Sequence, residues 1–191
     1  MEVEYQDRLR KADWAVVPVD LPVAQAMVRE HHYAHGGSNT AVYVDGLVRR
    51  EDGAVMGIAW WLPPTRVACE SVNRERWKEV LSLTRMVILP GVPKNAASFL
   101  LARSVRRIFA DGRFCSLVSY ACESQGHEGR VYRACNWDYV GRTGPYPRWV
   151  DPSDGKQVAP KSTKNRVKDE MIRLGYVRQG SFYKHKYVMH A

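Results

Sequence analysis

The densest run of side chains able to do chemistry is Ser119-Tyr120-Ala121-Cys122-Glu123-Ser124-Gln125-Gly126-His127-Glu128-Gly129, directly after an apolar stretch. Imidazole and carboxylate groups of this kind accept and return protons, provided they come within hydrogen-bond reach of the reacting atom. Tyr132 follows one turn into an expected helix. Its phenol could point back over the same crevice and protonate a leaving thiolate, or its ring could pack against the sheet. His31, His32, Glu123 and His127 offer the mixed imidazole and carboxylate donors suited to iron or zinc, but their spacing matches no standard zinc motif. Adjacent histidines on a helix also point about 100° apart.

A second constellation could hold phosphate. Leu83 to Leu89 reads as a buried strand ending at Pro90-Gly91, and Val92-Pro93-Lys94-Asn95 leads into a helical pattern that opens with Ala96, Ala97 and Ser98. Free backbone N–H groups and the positive end of a helix dipole favour an anion, Lys94 adds charge, and the small residues let a ligand approach the backbone. The pattern is neither a P-loop nor a dinucleotide fingerprint, and an ordinary strand-to-helix connection would look the same. A third constellation is the basic tail. Lys161, Lys164, Arg166, Lys168, Arg173 and Arg178 precede Tyr183, Lys184, Lys186 and Tyr187, which combine phosphate-contacting charge with rings able to stack on bases. Arg130, Arg133, Arg142 and Arg148 could extend that surface, whereas a solvated helix and an edge strand guarded by lysines would give the same composition.

These groups need elements to position them. Asp20 as N-cap, Pro22 and the spacing of Val23, Ala26 and Met27 predict a helix running towards His31, with a polar loop over 34–40. Residues 41–48 and 54–62 read as a hairpin turning at Glu51-Asp52-Gly53 and stopped by Pro63-Pro64. A short amphipathic helix is expected over 70–81, a buried strand over 83–89, and a helix over 96–110 with Leu100, Leu101, Val105, Ile108 and Phe109 on its apolar face. Further expectations are a strand over 114–120, a helix over 126–135, a short strand over 137–140, an irregular loop over 144–161, a helix over 162–174 and a strand over 182–188. Strands alternating with helices imply an α/β domain, in which ligands sit at the carboxyl ends of strands.

The composition agrees with one packed domain. The chain has 191 residues, 45% of them hydrophobic, with 29 Lys and Arg against 20 Asp and Glu for a net charge of +9. The charge fits a polyanionic partner as well as a merely solvated positive face. The apolar runs are too short to span a membrane, the four cysteines form no CxxC pair, and Met1-Glu2-Val3-Glu4-Tyr5 does not read as a signal segment. A cytoplasmic protein is expected.

Taken in order, His31-His32-Tyr33, Leu83-Thr84-Arg85-Met86-Val87-Ile88-Leu89-Pro90-Gly91, Lys94-Asn95-Ala96-Ala97-Ser98, Ser119-Tyr120-Ala121 with Gly126-His127, and Tyr132-Arg133-Ala134-Cys135-Asn136-Trp137 resemble the Mom family of bacteriophage DNA-modification proteins. The resemblance covers most of residues 27–141. It implies a GCN5-related N-acetyltransferase-like α/β fold, a mixed central sheet flanked by helices, with an acyl-CoA-binding core over 1–145 and a basic loop, helix and strand extension of the same domain over 146–191. In that fold acyl-CoA, acetyl-CoA or another, lies between two splayed parallel strands, here against Met86, Val87, Ile88, Lys94, Asn95, Ala96, Ala97 and Ser98. The resemblance further implies transfer to the exocyclic amine of DNA adenine, protection of phage DNA from restriction, and iron as a possible participant with His32, Tyr33 and Glu123 as its candidate ligands.

On this reading Tyr132 is the general acid, Arg85 orients substrate, Glu123 or His127 handles the acceptor proton, and His32 and Tyr33 line the acceptor side. Arg148, Lys161, Lys164, Arg166, Tyr183, Lys184 and Lys186 would hold the DNA backbone. The family commonly has Asp after Ser-Tyr-Ala, where this chain has Cys122 with Glu123 beside it. Adenine N6 is conjugated with its ring and poorly nucleophilic, so a pre-installed amine on a hypermodified base is the alternative acceptor, and either base must leave the duplex stack. The rival readings are an N-acetyltransferase acting on a small-molecule or protein amine, and a non-catalytic DNA-binding anti-restriction protein.

Overall fold

Alternation of period two sets out a seven-stranded sheet in the computed structural model, which describes residues 8–158 and 168–191. Its order is β1-β2-β3-β4-β5-β10-β6. Here β1 is Trp14–Pro18, β2 Tyr43–Arg49, β3 Val55–Leu62, β4 Val80–Ile88, β5 Ser116–Cys122, β6 Asp138–Arg142 and β10 Lys184–His190. The expected hairpin is β2 and β3, whose turn is shaped by the Asp52 carboxylate accepting the Ala54 N–H and by Gly53 at φ 72°. All neighbours are antiparallel except β4 and β5, which are linked by the 16-residue helix α3 (Ala96–Asp111). A parallel pair requires such a crossover.

Helices cover both faces. Along α3, Leu100, Leu101, Val105 and Ile108 recur at helical spacing and bury against Trp61, Leu81, Leu83, Leu117 and Tyr187. The short helix α4 (Arg130–Ala134) contributes Tyr132 to the same layer. On the opposite face α1 (Leu21–His31) buries Ala24, Met27 and Val28 against Ile58, Trp60 and Val87. Asp20 occupies the expected N-cap position of α1, although its side chain makes no capping hydrogen bond. The short helix α2 (Arg66–Glu70) packs its Cys69 on Val80, Val118 and Val188. Trp61 and Ser104 join through the indole N–H at 2.7 Å, and Ser104 donates to buried Asp45, which pairs with Arg107 at 2.7 Å.

A β-bulge interrupts β4. Trp60 pairs with Arg85 but Trp61 with Leu83, so Thr84 is an extra residue in β4. One inserted residue reverses which face the following side chains take. Leu81 and Leu83 face α3, and beyond the bulge it is Met86 and Ile88 that do so, while Val87 turns to α1. Arg85 thereby leaves the α3 face.

Four expected boundaries move. The helix expected over 70–81 is replaced by α2, a 3-10 turn at Trp77–Glu79 and the first residues of β4. Val80 and Leu81 are drawn into the sheet because pairing with Ser116 and Leu117 buries them almost completely, which outweighs a local helical pattern. The helix expected over 126–135 shrinks to α4, since Gly126 and Gly129 take φ of 68° and 73° outside the helical region. Within the stretch expected as irregular loop, β7 (Tyr146–Val150) and β8 (Gln157–Val158) join β9 (Val177–Phe182) in a second sheet of order β8-β7-β9. The strand expected over 182–188 divides at Tyr183 into β9 and β10. The helix expected over 162–174 is described from α5 (Lys168–Arg173), with Met171 buried.

Rather than forming an edge, β10 lies between β5 and β6, so the chain's last strand sits inside the main sheet. All four cysteines, each among the described residues, are unpaired. No helix among the described residues is long and apolar enough to cross a membrane.

Candidate active site

The parallel strands β4 and β5 pair only at Val80 with Ser116, Leu81 with Leu117 and Ser82 with Val118. Past that point β4 follows β3 and β5 follows β10, so the two strands part and open a cavity of about 570 Å³. The cavity is walled by Leu83 to Met86 and Ile88 from β4, Ser119 to Ala121 from β5, Gly126 to Tyr132 around α4, and His32 and Tyr33 beyond α1. Arg85, Tyr132, His127, His32 and Tyr33, read from the sequence as functional, are brought together here.

Ser119 sits at the apex of the split. Its Oγ lies 2.8 Å from the Tyr132 hydroxyl, to which it donates, and 3.2 Å from the Leu83 carbonyl on the facing strand. This serine heads the polar run and one of the motif segments in the sequence, but has no place among the site residues expected from it. Tyr132 is almost fully buried, its ring tilted against those of Tyr187 and Trp137 at centroid distances of 5.0 Å and 5.5 Å. Burial holds the phenol above its ordinary pKa, partly offset by the Ser119 bond, so it keeps its proton.

His32 is 9% exposed, and its Nδ1 accepts the Ala34 N–H at 3.0 Å. Burial first, then the charges of Arg85, His127 and His35, lower its pKa to about 4. Tyr33 stacks on His32 at 4.2 Å and meets His127 edge-on at 5.9 Å. Burial raises the Tyr33 phenol pKa. Arg85, aimed by the bulge, donates from Nε to the Gly36 carbonyl at 2.9 Å and from Nη1 to the Thr84 carbonyl at 2.7 Å, and burial lowers its pKa. It ties the loop after His32 and Tyr33 to β4.

Glu123 does not reach this cavity. Its carboxylate accepts the Tyr183 N–H at 2.9 Å and borders a second cavity of about 500 Å³, which shares Gly126, His127 and Glu128 with the first. Where the family commonly has Asp, Cys122 is buried beside the Tyr146 hydroxyl at 2.6 Å, with Ser124 Oγ 3.2 Å away. Among the described residues no three His, Cys, Asp or Glu side chains gather. With Glu123 apart from His32 and Tyr33, the expected donors do not fit iron.

The expected acyl-CoA residues divide. Met86 and Ile88 line the cavity, whereas the Val87 side chain is buried on the α1 face. Lys94 receives the Leu9 N–H on its carbonyl, and Asn95, at φ 70°, precedes α3 without a side-chain cap. Ala96 is buried and its N–H donates to the Pro93 carbonyl at 3.3 Å, whereas Ala97 and Ser98 are half-buried in the first turn, where N–H groups find no carbonyl within the helix. Splayed strands, a wall that carries Met86 and Ile88, and a helix start without a side-chain cap fit an acyl-CoA.

The expected DNA contacts fare differently. Lys161, Lys164 and Arg166 lie outside the described residues. Arg148 donates to the Ser124 carbonyl at 3.3 Å, Lys186 to Ser71 Oγ at 2.9 Å, and the Lys184 ammonium covers the Tyr146 ring at 4.9 Å. Tyr183 lies beneath the Arg142 guanidinium at 5.4 Å. These groups are engaged within the protein, and for Lys184 and Lys186 this follows from the place of β10 inside the main sheet rather than at its edge.

Among solved structures, the fold is similar to spermidine N-acetyltransferase from Vibrio cholerae, in complex with CoA and spermine, at TM-score 0.57 and 7% identity over 94% of this chain and 96% of that one. It is also similar to an IAA acetyltransferase from Bacillus cereus, at TM-score 0.54 and 10% identity over 93% and 98%. The ribosomal-protein-S18-alanine N-acetyltransferase from Escherichia coli gives TM-score 0.53 and 10% identity over 93% of each chain. The fold is thus that of the GCN5-related N-acetyltransferases. A comparison with curated proteins gives no match. Residues 13–190, nearly the whole chain, match the Mom protein family, and the chain belongs to that family.

Proposed function

We propose that this chain transfers an acyl group from an acyl-CoA, acetyl-CoA being the simplest, to the exocyclic amine of a DNA base, adenine N6 foremost, and so protects DNA from restriction. The observation that carries the reading is the parting of β4 and β5 beyond Ser82 and Val118, with His32, Arg85, His127 and Tyr132 on the walls of the opening. Membership of the Mom family and the net charge of +9 support DNA as the acceptor.

Bound acyl-CoA supplies a thioester whose carbonyl carbon is open to an amine. Met86 and Ile88 hold its arm, and the first turn of α3 takes its phosphates. His127 receives the amine proton as the C–N bond forms, a role for which it is better placed than Glu123. His32, neutral, presents its remaining N–H to the carbonyl oxygen as charge gathers there. Tyr132 gives its proton to the departing sulfur as the C–S bond breaks, and Ser119 holds the phenol in place.

The test is mass spectrometry of nucleosides after purified protein, acetyl-CoA and DNA are incubated together, with spermidine offered in parallel. A nucleoside heavier by one acetyl group is expected. Acetylation of spermidine alone would overturn the DNA reading in favour of a small-amine acyltransferase. Acetyl-CoA that is neither bound nor consumed would favour a non-catalytic DNA-binding protein.

A further inference from the structure

The alternation of rings and lysines along β10 does not make one surface. In a strand, successive side chains take opposite faces. His185 and Tyr187 therefore join the α4 side, where Tyr187 packs on Tyr132, while Lys184 and Lys186 turn to the side of α2 and Tyr146. Rings and cations meet instead in the second cavity, where Arg133 from α4 and Arg142 from β6 stand near Tyr139 and His185.

We propose that this second cavity binds a nucleotide of an unpaired DNA strand, next to the one whose base enters the reaction cavity. Four observations support it. Among the described residues neither Arg133 nor Arg142 forms a salt bridge, whereas Arg130 is paired with Glu128 at 3.1 Å. Two guanidiniums on one concave wall with no carboxylate partner among the described residues, that of Arg142 lying over the Tyr183 ring, are suited to phosphate. Tyr139 is half exposed, with its ring 5.8 Å from that of His185, and presents a flat platform for a base. The carboxylates bordering the cavity are occupied, Glu123 by the Tyr183 N–H and Glu128 by Arg130. Finally, about 500 Å³ accommodates a nucleotide but not a duplex, and the shared segment Gly126 to Glu128 makes the two cavities neighbours. The assignment rests on the proposed DNA acceptor, because it takes the strand to be the one being modified.

The adenosine phosphate of CoA offers similar chemistry, and the experiment separates the two sources. Anisotropy of a labelled oligonucleotide, single-stranded or annealed to its complement, is measured over a range of salt for the wild type and for Arg133→Ala, Arg142→Ala and Tyr139→Ala. Acetyl-CoA affinity is measured by calorimetry on the same proteins. The expected result is tighter binding of the single strand, about a tenfold or greater loss in Tyr139→Ala, and a salt slope reduced by about 0.7 in each arginine variant. Acetyl-CoA affinity stays constant throughout. Unchanged single-strand binding in the three variants, preference of the wild type for duplex, or loss of acetyl-CoA affinity in the arginine variants would each overturn the assignment. If the variants lose the strand as expected while the wild type transfers no acyl group to DNA, the acyltransferase reading fails and the strand site stands. If DNA is acylated but the variants bind the strand like the wild type, the reverse holds.

Discussion

Nδ1 of His32 accepts the backbone N–H of Ala34 at 3.0 Å, so the lone pair is on Nδ1 and the neutral ring carries its hydrogen on Nε2. With a pKa of about 4, His32 is a donor rather than a base near neutral pH. His32→Ala is expected to lower kcat by about 100-fold or more, the loss typical of one donor to a developing oxyanion. His32→Gln, which retains a donor, should recover part of that rate. Equal rates for the two variants would refute the donor role.

The same shift has a consequence for stability. The folded pKa, about 4, lies below the ordinary 6.5, so on acidification the unfolded chain takes up the proton first. The contribution is fully present above pH 6.5 and is lost as pH falls towards 4, on the order of 3 kcal/mol in all. Urea titrations of wild type and His32→Phe at pH 7 and pH 4.5 measure it. The gap between pH values should be smaller in the variant.

Tyr132→Phe should lower kcat by roughly 100-fold to 10,000-fold while acetyl-CoA still binds, because the ring packing on Tyr187 and Trp137 is preserved. Ser119→Ala removes the bond that orients the phenol and should cost about tenfold. Steady-state rates and calorimetry together check both, and a Phe variant of normal rate would end the acid role.

Ala97→Asp places a carboxylate in the first turn of α3, where it suits the helix dipole and should not lower the melting temperature. Against a pyrophosphate the same charge is repulsive by a few kcal/mol at about 4 Å, so acetyl-CoA affinity should fall at least about tenfold. An unchanged affinity would move the phosphates elsewhere.

Gly129 adopts φ 73°, and a Cβ there would overlap the Tyr187 ring. Gly129→Ala should therefore cost roughly 1–3 kcal/mol in backbone strain alone, and it should displace α4 with Tyr132. Thermal unfolding reads the first effect and kcat the second. A variant as stable as the wild type would show that α4 docks differently.

The sequence by itself was enough for those elements whose pattern is complete within one segment. Helix α1 with its Asp20 and Pro22 start, the β2–β3 hairpin, and the unit of strand, turn and helix ending in Leu100, Leu101, Val105 and Ile108 were all legible, because burial of one face imposes a period on adjacent residues. The ordered motifs likewise pointed to the family, and they singled out His32, Tyr33, Arg85, His127 and Tyr132, which the fold brings to one cavity. Tertiary structure decided the rest. The bulge at Thr84 turns Arg85 away from the α3 face towards Gly36, pairing with Ser116 and Leu117 draws Val80 and Leu81 out of a locally helical pattern, and insertion of β10 between β5 and β6 parts its rings from its lysines. Capture of Glu123 by Tyr183, sixty residues away, belongs with these. Each depends on the register between strands far apart in the chain, and a shift of one residue reverses the face a side chain takes, so no local spacing could have revealed it.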